Sequence, residues 1–188
     1  GIERTMKFDP TEEQKAVLEK ISVLLKNRTA DNLLLHGVTG SGKTEVFLQA
    51  AQQCMQMGRN VIILVPEIAL TPQMVERFVS RFGDGVALLH SGLSMGERFD
   101  QWRRIREGRV KLVVGARSAV FAPFDNIGLI VVDEEHENSY RSEATPRYNA
   151  VEVALFRGRQ NNSVVLLASA TPSVEDYYKA QNGKYRLM

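Results

Sequence analysis

The sequence predicts an α/β fold in which a mostly parallel sheet is covered by helices on both faces. Three observations predict it. Six short apolar runs rich in β-branched residues recur along the 188 residues. They are continuously apolar rather than alternating, as strands buried on both faces require. Longer amphipathic stretches separate them, and strand–helix alternation is the pattern of parallel sheets.

The elements follow in order. Pro10 and Thr11 precede Glu12-Glu13 and mark a helix start, so a first helix is expected over 11–26. Strands are expected at 33–35, 61–65, 86–89, 110–114, 129–132 and 164–167. Helices are expected at 44–57, 72–81, 94–107, 148–159 and 173–180. The stretch 135–147 is polar and aromatic and has neither period. With no repeat and no linker, residues 1–188 read as one domain, and 8–28 form its leading helical segment.

Composition narrows the function. Hydrophobic residues make up 44% and charged residues 24%, the profile of a globular protein. No apolar run reaches the roughly 18 residues needed to span a bilayer, so no membrane contact is expected. Gly1-Ile2-Glu3-Arg4 lacks the apolar core of a secretory signal. Cys54 is the single cysteine, which excludes an internal disulfide or a multi-cysteine zinc site. A cytoplasmic setting without zinc is therefore expected. The net charge is only +2, so nucleic acid would need a local basic stripe. Residues 98–117 hold seven basic side chains against two acidic ones, with Trp102 among them. They read equally as a nucleic-acid face or as a solvated helix anchored by Trp102.

Chemistry concentrates at three strand ends. Gly37-Val38-Thr39-Gly40-Ser41-Gly42-Lys43-Thr44 fits G-x-x-x-x-G-K-[ST] between a strand and a helix. Its N–H groups would cradle phosphate, Lys43 would reach the β- and γ-phosphates, and Thr44 would hold Mg²⁺. Asp133 ends an apolar strand, at the edge where open α/β sheets bind ligands. It is the expected second Mg²⁺ anchor, and Glu134 is placed to orient or deprotonate water. Glu135 and His136 follow, either as local structure or as a link to moving parts. Ser169-Ala170-Thr171 ends the next strand, where it either caps a helix or completes the site.

This ordered set resembles the first motor lobe of the superfamily 2 helicases. Further blocks sharpen the likeness: 65–73, 90–94, 115–123 and 133–140 are similar to those of the bacterial replication-restart helicases. The resemblance implies a RecA-like lobe that binds ATP and Mg²⁺. It implies 3′ to 5′ movement on single-stranded and forked DNA during replication restart and primosome assembly. It also implies partners: a second RecA-like lobe, DNA-binding and zinc modules of a longer chain, and restart and single-strand-binding proteins. None of those modules is expected within these residues, so the chain alone should bind nucleotide and hydrolyse it poorly.

Residue by residue, the resemblance makes Gln14 the reader of adenine, whose edge a glutamine can pair with. Glu45 extends the matched phosphate block and joins the nucleotide set. Pro66, His90, Ser91, Arg117 and Ser118 lie in blocks that track the DNA backbone. Glu135, His136, Tyr140, Arg141, Arg147 and Tyr148 belong to an aromatic-rich loop that reports DNA occupancy to the ATP site, and Ser169, Ala170 and Thr171 couple the two. Stacking and cationic chemistry suit single strands. The sequence departs from the family at Asn149-Ala150-Val151-Glu152, where His-Ala-Arg-Asp is usual, so the loop's coupling is open. Two other readings compete: another superfamily 2 translocase, such as a restriction-enzyme motor, and a small-molecule P-loop kinase. A kinase would lack Asp133-Glu134-Glu135-His136 and Ser169-Ala170-Thr171 and would carry a lid.

Overall fold

The computed structural model describes residues 11–36, 41–135, 137–169 and 186–187. The expected helix over 173–180 lies outside them, as do Gly37, Val38, Thr39, Gly40, His136, Ala170 and Thr171.

Among the described residues seven strands form one sheet: β1 (Asp31–His36), β2 (Asn60–Leu64), β3 (Val86–Leu89), β4 (Leu112–Gly115), β5 (Ile127–Asp133), β6 (Val164–Ser169) and β7 (Arg186–Leu187). Their spatial order is β3-β4-β2-β5-β6-β1-β7, and every pairing is parallel. Among the described residues five helices accompany them: α1 (Glu12–Lys26), α2 (Ser41–Gln56), α3 (Pro72–Phe82), α4 (Met95–Arg106) and α5 (Ala150–Asn161).

Side chains alternate across the strands, so the sheet has two cores. Leu33, Leu35, Ile63, Val131 and Leu166 pack with α1, α2 and α3 on one face. Leu34, Ile62, Leu64, Val132 and Leu167 pack with α4 and α5 on the other. Each face is apolar, which explains the unbroken runs. The expected fold class is therefore the observed one. Among the described residues no helix is long and apolar enough to cross a membrane.

Helix starts follow their caps. Thr11 and Gln14 close a capping box on α1, and Ser94 and Glu97 close another on α4. Thr71 caps α3, with Pro72 at its first turn. The expected helix at 148–159 begins instead at Ala150, because the Asn149 side chain accepts from the Val151 N–H at 2.8 Å. The residue that departs from the family pattern is thus a helix cap.

Two features were not legible beforehand. Strand β7 is two residues long and pairs with Leu33–Leu34, too short to carry a period. Arg59 is buried and ties the amino ends of β2 and β5 to the carboxyl end of α5. Its guanidinium donates to the carbonyls of Ile127 at 2.7 Å and Asn161 at 2.8 Å. Gly128 makes that approach possible, since a Cβ there would lie 2.6 Å from Cys54 Sγ and 2.9 Å from Arg59 Cβ.

Candidate functional site

The carboxyl edge of the sheet divides into two halves. Strands β5, β6 and β1 are adjacent, with Asp133 beside Ala168 and His36 beside Ser169. Strands β3, β4 and β2 form the other half, with Leu89 and Leu64 both paired to Gly115.

The first half holds the acids and the lysine. Residues 42–44 lie in the first turn of α2, where Lys43 and Thr44 are buried. Lys43 Nζ crosses to Asp133 Oδ1 at 2.8 Å and to Glu134 Oε1 at 2.6 Å. Burial alone would lower the lysine's pKa. Its hydrogen bonds and charge contacts with Asp133 and Glu134 outweigh that and hold it above the usual value. Burial pushes the Asp133 carboxyl up, and the Lys43 ammonium opposes it. Glu134 has a φ of +49°, in the left-handed region that costs a side-chain-bearing residue about 1 kcal/mol. Such strain collects at functional sites, and here it turns the carboxylate toward Lys43.

The donor set fits a hydrated Mg²⁺ and phosphate. Two carboxylates face one ammonium, leaving a net negative charge that a divalent cation would neutralise. Among the described residues no group of three or more His, Cys, Asp or Glu could hold a metal by itself. Mg²⁺ needs no such cage, because it takes one or two carboxylates and completes its shell from phosphates and water. Asp133 and Thr44 would hold it, with Lys43 on the phosphates.

Beside this centre, Tyr140 is buried and its hydroxyl donates to the Asp133 carbonyl. The ring is 1% exposed, so it cannot stack on a base as the sequence suggested. That expectation is corrected: Tyr140 fixes the loop to the end of β5. Burial, and then the neighbouring carboxylates led by Asp133, push its hydroxyl far above the usual tyrosine range. Glu135 is buried, and its N–H donates to the Ala168 carbonyl at 3.1 Å. Ser169 is buried at the end of β6.

Two of the nucleotide assignments look different in three dimensions. Gln14 is buried, and its Oε1 accepts from the Thr11 N–H at 3.0 Å, so the capping box occupies its acceptor. The Glu45 carboxylate turns away from the acids to Arg81 at 3.1 Å and Arg77 at 3.5 Å on α3. The side chain docks α2 against α3 rather than joining the phosphate centre.

The second half of the edge carries a cavity of about 350 Å³ lined by Glu67, His90, Ser91, Arg98, Arg117 and Ser139. Ser118 also borders it, whereas Pro66 is buried at the end of β2. Gly115 lets the strands close up here, since a Cβ would meet the Leu89 carbonyl at 2.5 Å. Arg117 donates to the carbonyls of Ser139 at 3.2 Å and Arg141 at 2.9 Å. It also lies 5.9 Å from the Tyr148 ring centre, and Phe121 meets that ring edge-on. A further cavity of about 340 Å³ runs along Arg141, Arg147 and Tyr148. Sequence reasoning held Glu67 and Ser139 only as members of matched blocks and Arg98 only as part of the basic stripe, without a role for any of them. The position of Glu67 directly after Pro66, at a strand end, was the available signal.

The basic stripe is no single face. Arg103, Arg104 and Arg106 lie in the last turn of α4, where cations favour the helix dipole. Arg104 donates to the Asp84 carbonyl, and Arg103 stacks on Phe99. Trp102 packs against the second core.

Comparisons with known proteins agree with this fold. The model of the DEAD/DEAH box helicase family matches residues 11–180. Replication restart protein PriA of Bacillus subtilis is 53% identical over 187 residues, covering 100% of this chain and 23% of that protein. PriA of Treponema pallidum is 46% identical, covering 99% of this chain and 28% of that protein. The chain therefore spans about a quarter of the length of these relatives. RecG, solved bound to a three-way DNA junction, aligns with a TM-score of 0.70 and 28% identity, over 96% of this chain and 23% of RecG. The Hef helicase domain of Pyrococcus furiosus aligns at 0.60 and 23% identity, over 95% of this chain and 38% of that one, a likeness of fold. The sheet with helices on both faces is thus a RecA-like lobe of the kind helicases carry.

Proposed function

The chain belongs to the DEAD/DEAH box helicase family, and from that premise we propose that it is the ATP-binding first lobe of a 3′ to 5′ DNA helicase that acts in replication restart and primosome assembly. The observation that carries this reading is Lys43 Nζ lying 2.8 Å from Asp133 and 2.6 Å from Glu134. A phosphate-loop lysine, a metal-holding aspartate and a water-handling glutamate then share one centre.

The roles rest on the sequence motifs, supported by the contacts of the described residues among them. Bound Mg²⁺ would neutralise charge on the β- and γ-phosphates. Gly37, Val38, Thr39, Gly40, Ser41 and Gly42 supply N–H donors, and Lys43 leaves its carboxylates for the phosphates. Glu134, released from Lys43, accepts a proton from water. Gln14 would reach adenine only by giving up its hold on Thr11. On the other half of the edge, Ser91, Arg98, Arg117 and Ser118 take the phosphates of single-stranded DNA. Arg117 holds 138–141, and Tyr140 holds Asp133, so a shift of the loop moves the metal ligand. His136, Ala170 and Thr171 complete this coupling.

The setting is cytoplasmic. The partners are forked and single-stranded DNA, the second RecA-like lobe, DNA-binding and zinc modules of a longer chain, and restart and single-strand-binding proteins. The γ-phosphoryl transition state needs an arginine finger worth about 10³-fold or more in rate. Arg117 and Arg141 lie in stretches matched to DNA handling, and no arginine here stands in a recognisable finger motif, so the chain alone binds ATP and scarcely turns it over. Phosphate release by the chain, with and without single-stranded DNA, tests this. Near-background rates in both conditions are expected, and robust DNA-stimulated release would contradict it.

A further inference from the structure

Glu67 stands in the cavity on the β3-β4-β2 half of the edge. Its Oε1 accepts two hydrogen bonds from Ser91, one from the main-chain N–H at 3.0 Å and one from the hydroxyl. Ser91 is an exposed residue of the turn after β3. Arg98, Arg117 and His90 line the same cavity. The surroundings are thus those of an anion site: a main-chain N–H, a hydroxyl and two permanent cations. The anion that fills it belongs to the protein.

We propose that Glu67 is a built-in competitor, a carboxylate that occupies the Ser91 donors in place of a DNA phosphate and must swing away before the strand can seat. The proposal rests on the reading that this half of the edge takes DNA. A carboxylate and a phosphodiester carry the same charge and accept the same two hydrogen bonds, so they exclude one another at Ser91. The contact is well made. Partial burial raises the carboxyl's pKa, but the Ser91 hydrogen bonds, with help from His90 and Arg117, outweigh it and hold Glu67 below its usual value. It is therefore fully charged at neutral pH and opposes an incoming phosphate. Both groups are exposed, so opening needs only a side-chain rotation. The device keeps the DNA half closed to stray anions and makes binding depend on several phosphates arriving together.

Binding of a labelled oligothymidylate to the full chain at low salt tests it. Glu67→Gln keeps the shape and removes the charge, and Glu67→Ala removes the competing acceptor. Both are expected to bind about three- to tenfold tighter than the unaltered chain, the effect of one nearby unit charge, with the gain shrinking as salt rises. Unchanged or weaker binding by both would overturn the proposal. Arg98→Gln and Arg117→Ala separate the two readings. If they weaken binding while the Glu67 variants do not strengthen it, self-competition alone is wrong. If they have no effect, the DNA reading of this edge fails and the proposal falls with it. Nuclear magnetic resonance of the unaltered chain is the second measurement. Adding oligothymidylate should shift the Ser91 amide and the Glu67 carboxyl carbon together, and stationary signals at both would overturn the proposal.

Discussion

The hydroxyl of Tyr140 donates to the main-chain carbonyl of Asp133. An aromatic residue at the end of a short 3-10 turn, Asn138–Tyr140, thereby holds the last residue of β5, whose side chain faces Lys43. Arg117 grips the same loop from the other half of the edge, through Ser139 and Arg141. The two halves are joined through one short turn.

Tyr140→Phe tests that link without opening a cavity. It keeps the buried ring and removes one hydrogen bond, so urea unfolding should show a loss of about 1 kcal/mol. In the longer parent protein, DNA-stimulated ATP turnover should fall more than basal turnover. Equal loss of both rates would make Tyr140 a packing residue only. Tyr140→Ala would not discriminate, because emptying an aromatic site costs about 3 to 5 kcal/mol by itself.

Glu134→Gln should leave nucleotide binding in place. It removes the proton acceptor, so turnover in the parent protein should drop by about 10² or more. Steady-state phosphate release and a nucleotide-binding titration on the same variant give both readings. Unimpaired turnover would mean another group handles the water.

Cys54 is fully buried beneath Gly128, and burial pushes its thiol up to about 12, with the Arg59 charge opposing only in part. Its thiolate is therefore scarce at mildly alkaline pH. Alkylation in the folded chain should be slower than in urea by on the order of 10²-fold or more. Comparable rates would show that the β5–α2 contact opens readily.

Gly115→Ala should be poorly tolerated. The added Cβ would sit 2.5 Å from the Leu89 carbonyl, and a main-chain atom cannot move aside as a side-chain tip can. A destabilisation of about 1 to 3 kcal/mol by urea unfolding is expected. An unchanged midpoint would mean β3 and β4 can separate at no cost.

Much of this was legible in the sequence, because apolar runs and capping residues act locally. The strands at 86–89 and 164–167 and the helix start at Thr11 could be read from neighbours alone. The phosphate block and Asp133-Glu134 could be read because a strand end followed by those residue types has few other uses. What escaped depends on distant partners. Tyr140 looked like a surface ring until its bond to Asp133 placed it inside. Glu45 looked like part of the phosphate block until Arg77 and Arg81 claimed it from 32 to 36 residues away. Arg59 carries no motif, Glu67 lies in a matched block that says nothing of its partner, and only the folded chain brings them to Ile127 and Ser91.

The central claim is that Lys43, Thr44 and Asp133 form one Mg²⁺-nucleotide centre. Calorimetric titration of Mg²⁺-ADP into the chain and into Lys43→Ala tests it most directly. Lys43 contributes a charge-assisted hydrogen bond worth about 1.5 to 3 kcal/mol, so the unaltered chain should bind and the variant should bind at least about tenfold more weakly. Equal affinity in the two proteins, or no binding by the unaltered chain, would contradict the account.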